Sequence, residues 1–229
     1  MKPWSWHLRV GASVVMLAAC AGPTSRPTTT VAPAQTPLGA NPATGGAAGD
    51  TLAAGLIPAG YGSLRQDDIA IKLQSTGLQV RLIPLDESVI RTLSPDSYAA
   101  LRQIAESRRD QIARYATLHG IRERRIWYVT FFGLAPEVRF TPTDLTITAA
   151  GREFRPVEVI PLTSGFGEHR LGTRDTQSAL YLFEDGLDPA QPVTVTMGID
   201  RNTDWQSILR TIERERALIR SRVTTVKSP

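Results

Sequence analysis

Cysteine and histidine are scarce in this chain, which has one cysteine and three histidines among 229 residues. A single cysteine cannot form an intramolecular disulfide, so the fold must depend on an apolar core. Beyond residue 20 the histidines are His119 and His169, and neither belongs to the ligand spacing of a zinc site. The serine motifs G-x-S-x-G and S-x-x-K and a lysine-bearing phosphate loop are also lacking. We therefore predict no metal, no cofactor and no enzyme activity.

A large excess of one charge is missing as well. The formal net charge is only +4, from 26 basic and 22 acidic residues, although the sequence pI is about 9.6. A typical nucleic-acid-binding surface combines a stripe of basic residues with aromatic residues that stack on bases. Aromatic residues make up only 7% of this chain, and they do not accompany a basic stripe. We predict no nucleic-acid partner.

The sequence also has no apolar run of the roughly 20 residues that a membrane-spanning helix needs. A shorter run, "VGASVVMLAA" at 10–19, follows the basic residues Lys2 and Arg9. Basic residues, a short apolar run and then small residues form the pattern of a secretory signal peptide. Residues 1–19 are therefore predicted to be a signal peptide.

The residues that close this segment are Leu17-Ala18-Ala19-Cys20. They resemble the lipobox of bacterial lipoproteins, which implies that Cys20 is lipidated and becomes the first residue of the mature chain. Several acyl chains would anchor it stably, because each buried methylene contributes about 0.8 kcal/mol. Ala21, rather than aspartate, favours the outer membrane by the same resemblance. The alternative is an ordinary secretory signal with an incidental cysteine.

The composition changes after the cysteine. Residues 21–60 are rich in Ala, Thr, Pro and Gly, with no aromatic residue and only the charges of Arg26 and Asp50. Such a segment cannot bury enough surface to offset its conformational entropy. We predict that 20–60, beginning at the lipidated cysteine, is a disordered tether with a reach of roughly 35 Å. Its mildly apolar end, 51–60, is expected to dock onto the domain that follows.

Residues 61–229 are predicted to form a globular β-rich domain. Alternating apolar residues at 69–73 and 78–82 predict a hairpin, and a second hairpin is predicted around the turn Ala150–Gly151. The stretch 124–134 is apolar on both faces, which suits a central strand. The strand "PVTVTMGI" is expected to turn Met197 and Ile199 inward.

Two long helices are predicted at about 95–119 and 204–223. The first begins at Ser94-Pro95, ends at Gly120 and carries an apolar stripe; the second carries its own stripe from Trp205 to Val223. Arg108 and Arg216 lie at stripe positions, where they would either mark a partner surface or cover the edge of the domain.

These elements predict an α+β fold, mainly β, built on an antiparallel β-sandwich. The stretch 124–199, with "DLTI", a small turn containing Gly, an aromatic residue and "RP", is similar to immunoglobulin-like domains of extracytoplasmic bacterial proteins. That resemblance implies an immunoglobulin-like sandwich. A mixed sheet with both helices on one face is the competing architecture.

The loop 163–177, "TSGFGEHRLGTRDTQ", is long for a connection in a compact domain, and such loops are often binding segments. We predict a partner contact through Phe166, Arg170 and Arg174, with Arg108 as a further contact. The first hypothesis is thus a non-enzymatic envelope lipoprotein that binds another envelope protein and is attached to the membrane through Cys20.

Two other hypotheses stay open. A small-ligand carrier or hydrolase would require a pocket that exists only in three dimensions, with a cluster of charged side chains: Glu168, His169, Asp175 and Asp185. A polysaccharide-binding module would require exposed aromatic residues as a sugar platform, whereas Trp127 and Trp205 are predicted to be buried.

Overall fold

The computed structural model describes residues 55–226. Within this range the chain forms eleven strands and four α-helices, and every pairing between named strands is antiparallel. The predicted α+β class is confirmed. The competing prediction of a mixed sheet is wrong for these strands, because no two of them pair in parallel. The predicted signal peptide, Cys20 and the tether as far as residue 54 lie outside the described residues.

The larger sheet has five strands, in the spatial order β1 (Ile71–Ser75), β2 (Leu78–Pro84), β3 (Arg125–Gly133), β9 (Thr176–Phe183) and β7 (Pro156–Pro161). The central strand β3 is the one predicted from its two apolar faces. Its Trp127, Val129 and Phe131 are fully buried on one face, and Tyr128 is half-buried on the other. The predicted β1–β2 hairpin is also confirmed.

The smaller sheet has four strands, in the order β11 (Asp200–Asn202), β10 (Val193–Met197), β5 (Leu145–Ala149) and β6 (Arg152–Phe154). The β5–β6 hairpin turns at Ala150 and Gly151, whose φ angles of 48° and 78° are those of a tight hairpin turn. A separate two-stranded ribbon joins β4 (Val138–Arg139) to β8 (Arg170–Leu171).

The two larger sheets enclose one apolar core, to which β2, β3, β5, β9 and β10 all contribute buried residues. Tyr181 of β9 crosses this core, and its hydroxyl donates a hydrogen bond to the carbonyl of Pro142 at 3.1 Å. Immunoglobulin domains place strands A, B, E and D in one sheet and C, F and G in the other. Here β1, β2 and β3 form a meander and β9 lies between β3 and β7, so the described residues do not show that topology.

The other face of the five-stranded sheet is covered by helices. A short α1 (Glu87–Ile90) leads to α2 (Pro95–Glu106) and α3 (Arg109–Leu118), and Ile112 of α3 packs with Ile160 and Leu180 of the sheet. The prediction of one helix over 95–119 is wrong. The chain breaks at Ser107, whose hydroxyl bonds the Ile104 carbonyl, and at Arg108, where φ is −121°. A straight helix of that length would extend roughly 37 Å, whereas the break redirects α3 over the sheet.

The C-terminal helix α4 (Trp205–Val226) is the second predicted helix. Its buried residues Trp205, Ile212 and Ile219 recur every seven positions and form one apolar stripe, of which Trp205 and Ile212 belong to the main core. Trp205 contacts Trp127 of β3 at 5.8 Å between ring centroids, and its indole N–H donates to the Pro189 carbonyl at 2.9 Å. Both tryptophans are buried, as predicted.

Residues 55–64, here called the N-terminal strap, lie between α4 and the chain that follows α1. Ile57 is buried, which agrees with the predicted docking of 51–60 as far as that segment is described. The Ser63 amide and hydroxyl donate to Glu215 of α4 at 3.0 and 2.9 Å. On the other side, Leu64 and Thr92 share a backbone hydrogen bond of 3.2 Å. The strap therefore joins two parts of the domain that are far apart in sequence.

Candidate functional site

A cleft of about 570 Å³ lies where β1–β2 of the larger sheet meets β10–β11 of the smaller one. We call it the inter-sheet cleft. Its base is apolar and its rim is polar. The residues that line it are Leu73, Ser75, Leu78, Val80, Arg139, Phe140, Thr141, Asp144, Glu168, His169, Met197, Gly198, Ile199 and Asp200.

Two hairpins form its walls. In each of them a two-residue turn with a glycine at positive φ, Gly77 or Gly198, reverses the chain. The two hairpins are joined at one end by the side chain of Asn202, which donates to the Lys72 carbonyl at 3.0 Å. The cleft therefore lies between the edges of two different sheets.

An aromatic cluster supports one side of the cleft. Phe140 stacks on Phe131 with ring centroids 4.2 Å apart, and Phe166 meets both rings edge-on. The imidazole of His169 adds to the cluster at 5.7 Å from Phe140 and 6.0 Å from Phe166. Burial of these rings fixes the loop that carries Glu168 and His169 to the rim.

The backbone around the β4–β8 ribbon adopts sparsely populated conformations. Among the described residues, four non-glycine residues have positive φ, and three of them flank the β4–β8 ribbon: Glu137 at 56°, His169 at 52° and Arg174 at 68°. Such conformations cost on the order of 1–3 kcal/mol each and persist where the surroundings over-determine them. The ribbon beside the cleft is therefore held by its packing.

The rim carries three carboxylates, Asp144, Glu168 and Asp200, together with Arg139 and His169. In the described part of the chain, none of these five side chains belongs to an ion pair within 4 Å, although twelve such pairs occur elsewhere in it. Three carboxylates against one arginine and one histidine make the rim net negative. The charges are thus available to a ligand.

Ile199 stands at the tip of the β10–β11 hairpin, on the margin of the cleft. This residue is 98% exposed, the highest value among the exposed large apolar residues of the described chain. The prediction that Ile199 faces inward is wrong, because Gly198 turns the chain with φ at 59° and ends the alternation that buries Val193 and Val195.

The predicted partner-binding residues are not brought together. Phe166 is only 2% exposed and belongs to the aromatic cluster, so the prediction that it is a surface contact is wrong. Arg170 and Arg174 are exposed in the same loop, whereas Arg108 lies between α2 and α3. A partner contact through the three arginines stays a prediction.

The predicted acidic and histidine cluster is brought together only in part. Glu168 and His169 line the inter-sheet cleft. Asp175 does not; it accepts a hydrogen bond from the Gly172 amide at 2.7 Å. Asp185 lies elsewhere, where it accepts from the amides of Arg122 and Glu123 at 3.1 and 2.8 Å.

The residues with shifted pKa values stabilise the fold and do not line the cleft. The amides of Glu123 and Arg122 lower the pKa of Asp185, because they bind its ionised form. Burial, followed by the nearby Glu87 carboxylate, raises the pKa of Tyr98. Burial also raises the pKa of Tyr181. None of these shifts identifies a catalytic acid or base in the cleft.

Sequence reasoning missed most of the cleft: Arg139, Phe140, Asp144, Ile199 and Asp200. One signal was present, since "MGID" between two alternating runs is a hairpin turn that would place Ile199 at its tip. The other residues come from separate segments, so no local motif marks them.

In the part of the chain that the structure describes, no group of three or more His, Cys, Asp or Glu side chains is placed to hold a metal ion. No helix of residues 55–226 has the length and apolar character needed to cross a bilayer. Comparison of the chain with family models, curated proteins and solved structures found no match.

Proposed function

We propose that this chain is a non-enzymatic lipoprotein of the bacterial cell envelope whose domain binds another envelope protein through the inter-sheet cleft. In this proposal Cys20 carries the acyl chains, residues 1–19 are removed, and the outer membrane is the favoured location. The support for the anchor is the resemblance of Leu17-Ala18-Ala19-Cys20 to the lipobox.

The observation that carries the binding role is the position of Ile199. A fully exposed isoleucine on a hairpin tip gains roughly 1.5–3 kcal/mol when a partner removes it from water. Protein interfaces combine such an apolar anchor with a polar rim. Ile199 lies beside such a rim, formed by the charged side chains that line the cleft.

Site-specific photocrosslinking in intact cells tests this role. A photoreactive residue is placed at Ile199 or at Arg139, and the matched control replaces Leu118, which is exposed and apolar but lies on α3. We expect one crosslinked protein from the two cleft positions and none from position 118. Recovery of the uncrosslinked chain alone from both cleft positions would overturn the binding role.

Mass spectrometry of the purified native chain tests the anchor. We expect the mature chain to begin at Cys20 and to carry the mass of its acyl groups. An unmodified thiol at Cys20, or a retained leader, would refute the lipoprotein assignment.

The second candidate is a small-ligand carrier or a hydrolase. The size of the cleft favours it, since about 570 Å³ falls within the range of small-molecule sites, and Glu168 and His169 lie side by side on the rim. Native mass spectrometry of the purified chain separates the two candidates. A co-purifying small molecule that a His169→Ala variant releases would support the second candidate and count against the first.

A further inference from the structure

We propose that the outward face of α4 docks onto an anionic phospholipid surface, that of the bilayer in which Cys20 is anchored. This inference rests on the proposed function, because it needs the anchor, and it adds a second membrane contact to it. It depends on three observations: the charge of α4, the place where the chain enters the domain, and the position of the inter-sheet cleft relative to that helix.

The helix α4 carries an excess of positive charge, with five arginines and two glutamates. Both glutamates already pair with arginines of the same helix, Glu213 with Arg216 and Glu215 with Arg222. The other three arginines belong to no ion pair within 4 Å in the described part of the chain: Arg210, Arg214 and Arg220. By contrast, α2 and α3 together carry three basic and three acidic residues. The uncompensated charge is therefore a feature of α4 and not of the helices in general.

These arginines lie on the side of α4 that faces away from the domain. With 3.6 residues per turn, Arg210 and Arg214 fall on the stripe opposite the buried residues Trp205, Ile212 and Ile219. The exposed residues on or beside that stripe are here called the α4 arginine face: Arg210, Arg214, Ala217, Leu218, Arg220 and Ser221. The face thus combines uncompensated basic groups with an exposed leucine, which suits the charged surface of an anionic bilayer.

The chain enters the domain beside this face. Gly55, the first described residue, lines a recess of about 160 Å³ together with Arg216 and Arg220 of α4. The predicted tether between Cys20 and this point has a reach of roughly 30–35 Å. An acyl anchor at Cys20 would therefore hold α4 close to the bilayer.

This proximity makes a weak attraction sufficient. An anionic leaflet attracts basic residues within a Debye length of its surface, and each arginine there favours the docked state about fivefold. The three uncompensated arginines together would favour it by about 100-fold. Because the anchor and the face belong to one chain, docking is an intramolecular event with a high effective concentration. A bilayer is favoured over an acidic protein for this reason.

The docked orientation leaves the inter-sheet cleft open. Leu78, at the start of β2, lines the cleft, whereas β2 ends at Pro84 and the carbonyl of Ser88 just beyond it accepts hydrogen bonds from Arg216 of α4 at 3.2 and 2.6 Å. A strand of this length spans about 20 Å. The cleft and this contact with α4 therefore lie at opposite ends of β2, so the membrane and a partner protein can be bound at the same time.

The first experiment locates α4 relative to the bilayer. The full chain, acylated as purified from membranes, is reconstituted into vesicles that contain a lipid with a nitroxide on its headgroup. A fluorophore is attached at Ala217→Cys on the α4 arginine face or, as the matched control, at Thr76→Cys in the exposed β1–β2 turn. We expect quenching at position 217 and little at position 76 in vesicles with about 30% phosphatidylglycerol. Quenching at position 217 should be lost in phosphatidylcholine alone and in about 0.5 M NaCl. Equal quenching at both positions, or in both kinds of vesicle, would overturn the inference.

The second experiment removes the charges of the face. In R210Q/R214Q/R220Q we expect the ratio of docked to undocked chain to fall about 100-fold, so that quenching at position 217 drops to its level in phosphatidylcholine. Thermal unfolding should stay native, since all three side chains are exposed. The matched control, R170Q/R174Q/R201Q, removes the same charge from exposed arginines elsewhere and is expected to be quenched like the parent. Equal effects of the two triple variants would refute docking through α4.

An acidic protein is the other occupant that this face could attract, and crosslinking separates the two. With a photoreactive residue at Ala217 in intact cells, we expect no crosslinked protein. A crosslinked protein at position 217, together with absence of quenching on anionic vesicles, would assign the face to a protein partner and overturn the inference.

The outcomes also separate this inference from the proposed function. An acylated chain that crosslinks through Ile199 but shows no quenching at position 217 would leave the proposed function in place and overturn docking of α4. A chain without acyl groups at Cys20 would overturn the lipoprotein assignment and this inference together.

Discussion

Gly62 lies in the N-terminal strap at a place where only glycine fits. A Cβ at this position would lie 2.1 Å from the Thr92 carbonyl oxygen and 2.5 Å from that of Leu93. Because these are backbone atoms, they cannot rotate away as the tip of a side chain does. In Gly62→Ala the strap must therefore move by about 1 Å or more to restore ordinary contact.

The cost of that movement follows from the contacts of the strap. It breaks the hydrogen bonds between Leu64 and Thr92 and between Leu64 and Ser94, 3.2 and 2.8 Å long, each contributing about 1 kcal/mol. It also loosens Ile57, whose burial contributes about 2 kcal/mol. We expect the free energy of unfolding of Gly62→Ala to fall by about 3–4 kcal/mol.

Urea unfolding of the purified full chain, followed by tryptophan fluorescence, measures this change. Gly167→Ala is the matched control, since a Cβ there would meet no atom within 4 Å and the φ angle is not positive. We expect the control to unfold like the parent. Loss of the same small amount of stability by both variants would show that the strap is not docked against Thr92 and Leu93.

Three further predictions concern the core, the strap and acid stability. Phe166→Ala should lower the free energy of unfolding in urea by about 3–5 kcal/mol, because the ring is buried. A change below about 1 kcal/mol would indicate that the ring is exposed to solvent instead. Glu215→Ala should cost about 2–3 kcal/mol in urea unfolding, because it leaves two donors of Ser63 without their acceptor, and Glu215→Gln, which keeps an acceptor oxygen, should cost less. Asp185 has a lowered pKa in the folded state, so its contribution is present at neutral pH and is lost as the pH falls through that folded-state pKa. The stabilities of the parent and Asp185→Asn should therefore differ at pH 7 and converge in strong acid, and a constant difference would contradict this account.

The strands were predictable because their burial is local and periodic. Residues of β3 are apolar on both faces, and those of β5 and β10 alternate, so their places at the centre of a sheet or over the core follow from the sequence. The break at 107–108 was not predictable, because the apolar stripe runs through it and neither serine nor arginine is a strong helix breaker. Beyond the break, Ile112 packs against Ile160 and Leu180 of the sheet, a tertiary contact that the local sequence does not reveal.

The inter-sheet cleft was not predictable in the same way, because its residues come from β1, β2, the 139–144 segment, the 168–169 loop and the β10–β11 hairpin. Phe166 was misassigned because its neighbouring glycines and charges are typical of an exposed loop. The partner ring, Phe140, lies 26 positions earlier along the chain, and the contact between them exists only after β4 pairs with β8.

The strap also determines how the domain responds to force. Tension applied to the chain ahead of residue 55 reaches the hydrogen bonds of Arg91 to the Ile57 carbonyl and of Arg222 to the Tyr61 carbonyl first. It then reaches the bonds between Ser63 and Glu215 and between Leu64 and Thr92, and all of these lie ahead of the ladders of the two sheets. These few bonds would yield first under load and extend the chain by the length of the strap. The β-sheets, and the cleft between them, would keep their shape while the strap extends.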